Sequence, residues 1–263
     1  MTPKLEPDYR WNTALAKLIA HLHMRQFPTV LVETLSMLAD FDSHLVATFK
    51  HDYRPLSLSS SYENEQRPPI GGYLDHSYLL DPLFNAIQDN RPSGVYRMHE
   101  LEPDCFEETE FYRVHYLAFD LADEVIYICR VTADVTLTVS LGRSNKLGSI
   151  QRAQMNRLRQ SNPVIQALCQ QFWLNMASEF THSHLQKSTL VQSLNSFTNG
   201  LLTEREQQVA GLILQGYSSK TIARELGISD GTVKVHRKHI HQKLGINSQS
   251  QLFSLFVAHL NSL

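Results

Sequence analysis

The sequence predicts an α+β protein, with a mixed α/β domain over residues 1–180, a connector over 181–200 and an all-helical domain over 201–263. Three observations carry this. Apolar residues recur at helical spacing between helix caps from Thr203 to Gly245. β-Branched and aromatic residues gather in two strand pairs, His44–Lys50 with Leu56–Tyr62 and Val125–Val131 with Val135–Leu141. Helical segments precede, separate and follow those pairs. At 263 residues and 42% hydrophobic content the chain has room for two domains and a real core in the larger one.

Taken in chain order, Leu15, Leu18, Ile19 and Leu22 give Trp11–Phe27 a helical stripe, and Pro28 opens a second helical stretch through Leu38. The first strand pair turns through Asp52, Arg54 and Pro55, the second through Thr132-Ala-Asp134, and the second pair is expected at the centre of the sheet. Between the pairs, Asp81–Gln88 and Phe106–Leu117 read as helical, with Asp81 as an N-cap and Pro82 at the first helical position. After the sheet, Ile150–Leu158 leads to a long helix opened by Ser161-Asn-Pro163 and running toward Asn195. Its stripe is Ile165, Leu168, Phe172, Met176 and Phe180, then Leu185 and Leu190. The half with Phe172 and Trp173 is expected to close the core, and the part beyond Glu179 to serve as a dimerising connector. Ser196–Gly200 is a polar break, which sets a boundary near Asn199.

In the tail, Thr203 and Glu206 form a T-x-x-E capping box that starts a helix, and Val209, Leu212 and Ile213 give it an apolar stripe closed at Gly216. Ser218 or Ser219 caps a second, short helix carrying Ile222, Ala223 and Leu226. A turn at Gly227-Ile228-Ser229 follows, and Ser229 caps a third helix whose Val233, Ile240 and Leu244 face inward. His236 turns toward the scaffold. Lys234, Lys238 and His241 line the opposite side beside Val235, a pattern suited to a major groove. The lysines reach phosphates or guanine acceptors there, and Val235 meets a thymine methyl. Ser218, Ser229, Thr232 and Lys220, near helix N-termini, supply phosphate contacts. A helix face that is merely solvated also carries lysines, but the caps, closing glycines and short turn favour the DNA reading. Residues 201–263 hold seven Lys/Arg against four Asp/Glu, a net of +3, which leaves −5 for residues 1–200 of a chain at −2. One basic tail of that size binds DNA feebly, so a homodimer on a double-stranded operator is expected.

The stretch Leu202–Gly245, with its LTxRE opening, QGxSxKxIAxxLGIS middle and GTVKxHxxxIxxKLG helix, resembles the LuxR/FixJ-type DNA-binding domain. The resemblance implies that Gly231–Leu244 enters the major groove and that Lys234, Val235 and Lys238 reach bases. It also implies that the terminal helix, Ser250–Leu260 with Leu252, Phe253, Phe256 and Leu260, pairs two copies. The front domain resembles the GAF/PAS-like sensor fold. Within it, GGYLDHSYLLDPLF at 71–84 is similar in part to the autoinducer-binding domain of LuxR-type quorum sensors, whose two tyrosines and Asp-Pro match Tyr73, Tyr78, Asp81 and Pro82. It departs from that pattern where Pro69 stands for a tryptophan and where the interval from Tyr73 to Asp81 is one residue short. Tyr73, Tyr78, Tyr112 and Tyr116 with Asp81, Glu107 and Glu110 would suit a small cation, hence an amine or amino-acid-like effector. Core packing of Tyr112 against Tyr116 and a plain capping role for Asp81 are the competing readings. The alternatives for control are an acyl-homoserine lactone, phosphorylation or a protein partner. A phosphoacceptor receiver domain fits poorly, because the chain opens on helices.

Other chemistries are not expected. The sequence has no G-x-G-x-x-G, P-loop, G-x-S-x-G or H-E-x-x-H, and His21-x-His23 is split across a helix, so neither catalysis nor a cofactor is anticipated. His44, His51, His76 and His115 could converge in space, though isolated histidines are more often satisfied or solvated residues, and His236, His239 and His241 spread around one helix rather than sharing a metal. Cys105, Cys129 and Cys169 lack metal or disulfide spacing and read as free core thiols. No apolar run reaches the roughly 18 residues that span a bilayer, and the opening MTPKLEPDYRWN lacks a signal peptide's apolar stretch, so a cytoplasmic location without membrane contact is expected.

Overall fold

The computed structural model describes residues 7–50, 53–62, 71–75, 77–180 and 190–260. In chain order the elements are α1 (Pro7–Ala20), α2 (Phe27–Leu35), β1 (Ser43–Lys50), β2 (Leu56–Ser60), α3 (Gly71–Asp75), α4 (Pro82–Gln88), β3 (Gly94–Arg97), α5 (Glu110–Tyr112), β4 (Leu121–Arg130), β5 (Val135–Ser144), α6 (Arg152–Met176), α7 (Leu190–Thr198), α8 (Glu204–Leu214), α9 (Ser219–Leu226), α10 (Asp230–Leu244) and α11 (Gln249–Leu260). They form two compact units. One comprises Met1–Ile70, Asn90–Glu100 and Asp120–Gln186; the other comprises Gly71–Asp89, Leu101–Phe119 and Lys187–Leu263. Compactness therefore cuts the chain differently from the contiguous blocks expected, and two stretches of the front region fold in the same unit as the helical tail.

The first unit is built on an antiparallel sheet in the order β2-β1-β5-β4-β3. β5 lies at its centre between β1 and β4, with Val139 opposite Val46 on one side and Tyr127 on the other. Val46, Val125, Tyr127, Cys129, Leu137, Val139 and Leu141 share one face and form a single core with Leu18, Phe27, Leu31, Leu35, Leu158, Ile165 and Phe172 from the helices. Phe27 stacks on Phe172 with ring centroids 4.4 Å apart. The opposite face, with Ala47, Ile126, Ile128, Thr136 and Thr138, is buried as well. Burial on both faces explains why these strands read as near-continuous apolar and β-branched runs. The α+β class is thus the one expected. β3 was not anticipated: it is four residues long and only Val95 in it is buried.

The long helix departs from expectation at both ends. It is opened by a capping box between Gln151 and Gln154, not by Ser161-Asn-Pro163, and Pro163 lies inside it. Proline in a helix interior removes one N–H and costs about 3 kcal/mol. Around it, the Ser161 hydroxyl donates to the Leu158 carbonyl at 2.8 Å, and the buried Tyr127 hydroxyl bonds both the Leu158 carbonyl and Ser161 Oγ. Burial of Leu158, Ile165, Leu168 and Phe172 on either side offsets the lost backbone bond. The helix then stops at Met176, followed by one 3₁₀ turn at Ala177–Glu179, so it does not run on to Asn195. The expected connector falls partly on 181–189, outside the described residues, as do Leu185, His51, His76 and Pro69. Cys129 and Cys169, forty residues apart, meet in the core, where the contact between the thiols and their burial push the Cys169 thiol well up.

No described helix is long and apolar enough to cross a membrane. The core assignment makes a direct prediction: Phe172→Ala should lower unfolding free energy by about 3–5 kcal/mol, read by urea titration of the whole chain. A loss below about 1 kcal/mol would mean that the Phe27–Phe172 stack is not central to the core.

Candidate functional site

The helical tail is organised by its helix ends. Thr203 and Glu206 form the expected capping box at the start of α8, with the Thr203 N–H donating to Glu206 Oε2 at 2.8 Å. Glu206 is only 4% exposed and also accepts from Lys243 Nζ at 2.7 Å, so one carboxylate joins the start of α8 to the last turn of α10. Burial alone would raise its pKa, but bonds from Lys243 and Thr203 outweigh it and hold the carboxyl below the usual range. Ser218 caps α9 by accepting from the Thr221 N–H, and Ser229 caps α10 by accepting from the Thr232 N–H at 3.0 Å. Each of the three helices closes through a glycine at positive φ, with the next residue's N–H reaching back five: Tyr217 to Leu212, Ile228 to Ala223 and Ile246 to His241.

These ends fix which side of α10 faces out. Val233 and Ile240 are fully buried, while Lys234, Val235, Lys238, Ser229 and Thr232 are exposed, as is Lys220 at the start of α9. Val235, an apolar side chain, is 51% exposed. Lys234 pairs with Asp230 at 2.6 Å one turn earlier, a solvated contact worth well under 1 kcal/mol. His241 departs from expectation. It is half-buried rather than on the open side, its Nε2 is enclosed with no hydrogen-bond partner among the described residues, and burial followed by the Arg237 charge lowers its pKa. It is a neutral wedge beside the exposed lysine face. Arg237 belongs to the scaffold, donating to Ser219 and Gln249.

In the terminal helix, Leu252, Phe253, Phe256 and Leu260 are buried inside the unit, with Phe256 edge-on to Phe197 of α7 at 5.5 Å. That face packs on α7 and α8, while Leu255 of the same helix is exposed. α7, expected as connector, is therefore part of the tail's bundle, and it stops at Asn199 and Gly200, both at positive φ.

The front-region residues of the second unit also assemble. Asp81 caps α4, accepting from the Leu83 N–H at 2.8 Å, and its other oxygen accepts from the Tyr73 hydroxyl at 2.6 Å. Tyr78 is buried edge-on to Phe84 at 5.1 Å. Tyr73 meets the His115 ring at 5.6 Å, His115 meets Phe111 at 4.5 Å, and Phe111 meets Phe106 at 6.1 Å. Phe106 in turn meets Tyr112 and Tyr116, which stack on each other at 5.4 Å. Tyr73, with Asp81 bonded to it, Tyr112 and Tyr116 thus sit on one aromatic row, while Tyr78 is buried in the turn just before Asp81. Glu107 is exposed, and Glu110 pairs with Arg113, so neither shares the burial of Asp81. Of the residues that link the row, Phe111 was not singled out in the sequence and His115 only as one of four scattered histidines; the four-residue spacing of Phe111, His115 and Phe119 was the available signal. Beside it lies an open cleft of about 540 Å³ lined by Leu79, Phe84, Asn85, Leu212, Gln215 and Tyr217, among others.

Burial sets the protonation of this row. Desolvation pushes Asp81 up to about 6 despite the bonds from Tyr73 and Leu83, and pushes His115 down to about 4. The two act on stability in opposite directions. Asp81 has a raised folded pKa, so its contribution is full below the ordinary value of 3.8 and is lost as pH rises through about 6. His115 has a depressed one, so its contribution is full above 6.5 and is lost as pH falls toward about 4. Asparagine keeps the cap without the charge. Asp81→Asn should therefore stabilise the chain near neutral pH by at most about 3 kcal/mol, with the gain fading toward pH 4, measured by chemical unfolding across that range. An equal effect at both ends would show that the Asp81 charge is not buried in the folded chain.

Residues 200–256 match the family described as bacterial regulatory proteins, luxR family. An HTH-type transcriptional regulator from the exeN 3′ region of Aeromonas salmonicida is 36% identical over 187 residues, spanning 68% of this chain and 94% of that protein. The transcriptional regulatory protein MctR of Rhizobium johnstonii is 43% identical over 58 residues, 22% of this chain and 27% of its own. Among solved structures, the VqsR LBD domain from Pseudomonas aeruginosa superposes with a TM-score of 0.56 at 28% identity, covering 63% of this chain and 98% of that one. With its capped three-helix tail and a relative matched over nearly its whole length, the chain belongs to the luxR family of bacterial regulatory proteins and is a transcriptional regulator.

Proposed function

We propose that this regulator reads operator DNA through α10 and that a small-molecule effector, held by the front part of the chain, controls it. The observation that carries the DNA half is the two-sidedness of α10: Val233 and Ile240 fully buried, Lys234, Val235 and Lys238 exposed. Lysines at that spacing meet phosphates or guanine acceptors, Val235 meets a thymine methyl, and Ser229, Thr232, Ser218 and Lys220 sit at helix N-termini where phosphate oxygens bind. The tail's net charge of +3 is small, which favours a homodimer on two half-sites. Binding DNA agrees with a cytoplasmic location.

For the effector half, the likeness to the VqsR LBD domain supports a sensing role for residues 1–180, joined through 181–200 to the DNA-binding residues 201–263. The buried Tyr73–Asp81 bond with Tyr78, Tyr112 and Tyr116 nearby favours a ligand that donates hydrogen bonds to a carboxylate, an amine or amino-acid-like molecule. Such a ligand acts by binding one arrangement of the chain more tightly, typically with about 1–3 kcal/mol of coupling to DNA affinity.

Two measurements check these halves. Lys234→Ala with Lys238→Ala should weaken duplex binding by about ten- to a hundredfold and lower the salt slope by about two, with the melting temperature kept. Unchanged affinity would remove α10 from the groove. Thermal stabilisation of the full chain across amines, amino acids and acyl-homoserine lactones should show a selective shift with the amine class that Asp81→Asn abolishes. A selective shift with the lactones would replace the amine assignment, and a flat panel would favour phosphorylation or a protein partner.

A further inference from the structure

The turn Glu102-Pro103-Asp104-Cys105 lies against the junction of α8 and α9 within the second unit. The Cys105 N–H donates to the Gly216 carbonyl at 2.9 Å. Asp104 places one carboxylate oxygen 2.9 Å from the Ser218 N–H and the other 2.7 Å from the Thr221 hydroxyl, which donates to it. The fit is close. Gly216 has φ +92, and a Cβ there would come within 2.8 Å of Thr109 Cγ2 and 3.1 Å of Pro103 Cγ. A further bond runs from Gln215 Nε2 to Asn85 Oδ1 at 3.1 Å.

The donors that Asp104 uses are the ones a DNA phosphate would need. In a helix-turn-helix the helix before the recognition helix crosses the sugar–phosphate backbone, and N–H and hydroxyl groups at a helix N-terminus are its natural contacts. Ser218 and Thr221 stand at the N-terminus of α9, and one carboxylate now takes both. A carboxylate offers the same two-oxygen, negatively charged surface as a phosphodiester, so the two exclude each other. We propose that Asp104 is a built-in phosphate mimic, an autoinhibitory contact that covers the α9 phosphate site and must leave before DNA engages the tail fully. The same stretch, Leu101–Phe119, carries His115, Tyr112 and Tyr116 on the row that ends at the Tyr73–Asp81 bond. A ligand that shifts that row moves the segment bearing Asp104, which links effector and DNA sites without a separate relay. The inference rests on the DNA-binding reading above.

The test uses the full chain and a fluorescein-labelled mixed-sequence duplex, with anisotropy followed from low to moderate salt. Asp104→Asn and Asp104→Ala should each bind about tenfold tighter than the parent, with a salt slope steeper by about one phosphate contact. Hydrogen exchange at the amides of residues 218–221 should accelerate in both variants without DNA. Glu108→Gln, an exposed acid four residues farther along the same segment, controls for general charge and should leave affinity nearly unchanged. If the Glu108 variant tightens binding as much as the Asp104 variants, or if the Asp104 variants bind no better than the parent, the latch is overturned. When that happens while Lys234→Ala with Lys238→Ala still weakens binding, the DNA reading stands and only the latch fails. Absence of binding by every variant at low salt overturns both.

Discussion

An α-helix leaves amide hydrogens at its start and carbonyls at its end without partners, and the tail of this protein takes its geometry from how those groups are satisfied. Thr203, Ser218 and Ser229 each supply an oxygen at a helix start, and Gly216, Gly227 and Gly245 each turn the chain back at an end. The spacing between those caps sets helix lengths, the lengths set which residues point inward, and the inward set decides that Lys234 and Lys238 point out. Glu206 ties the system into one piece, because the carboxylate that completes the first cap also holds Lys243 at the far end of α10. A lysine of the basic helix is thereby assigned to the scaffold, while its neighbours four and more residues earlier remain free of it.

The sheet unit follows another constraint, burial from both sides. β5 is covered on its two faces and paired along both edges, so a polar side chain in its middle must find a partner in the sheet itself, as the Thr138 hydroxyl does by donating to the Ala47 carbonyl. Charged groups inside the unit survive only with complete partnership. Arg143, 5% exposed, donates to three backbone carbonyls, of Asp40, Leu147 and Gly148. Asp123, 8% exposed, accepts from Arg97 and from the Ile150 N–H. These contacts pin the loops around the sheet to its ends and leave the helices to be positioned by shape, as the Phe27–Phe172 stack and Tyr127 do.

A third setting is the row from Asp81 to Tyr116 in the second unit, where titratable groups lie among aromatic rings. Its titratable members have moved toward their neutral forms, Asp81 upward and His115 downward, because the surroundings penalise charge. Its neighbour in the chain, Asp104, stays charged because it sits at a helix N-terminus with two donors. The one segment Leu101–Phe119 thus carries both a charge-averse interior and a charge-seeking tip.

Local chemistry was legible in the sequence. The capping box, the serine caps, the closing glycines, the buried face of α10 and the Asp81 cap on α4 all depend on residues within one or two turns, and each was found where spacing put it. So were the class of the fold and the central strands, because their apolar runs are long. What the sequence did not reveal was decided across distance. Pro163 sits inside a helix because Tyr127 and Ser161 secure the turn around it; the apolar face of α11 closes on Phe197; His241 turns inward beside Arg237; Cys129 meets Cys169; and Asp104 finds Ser218 more than a hundred residues away. Propensity and periodicity report what a residue does to its own helix or strand, whereas these outcomes depend on which surfaces meet, and only the folded chain brings those surfaces together.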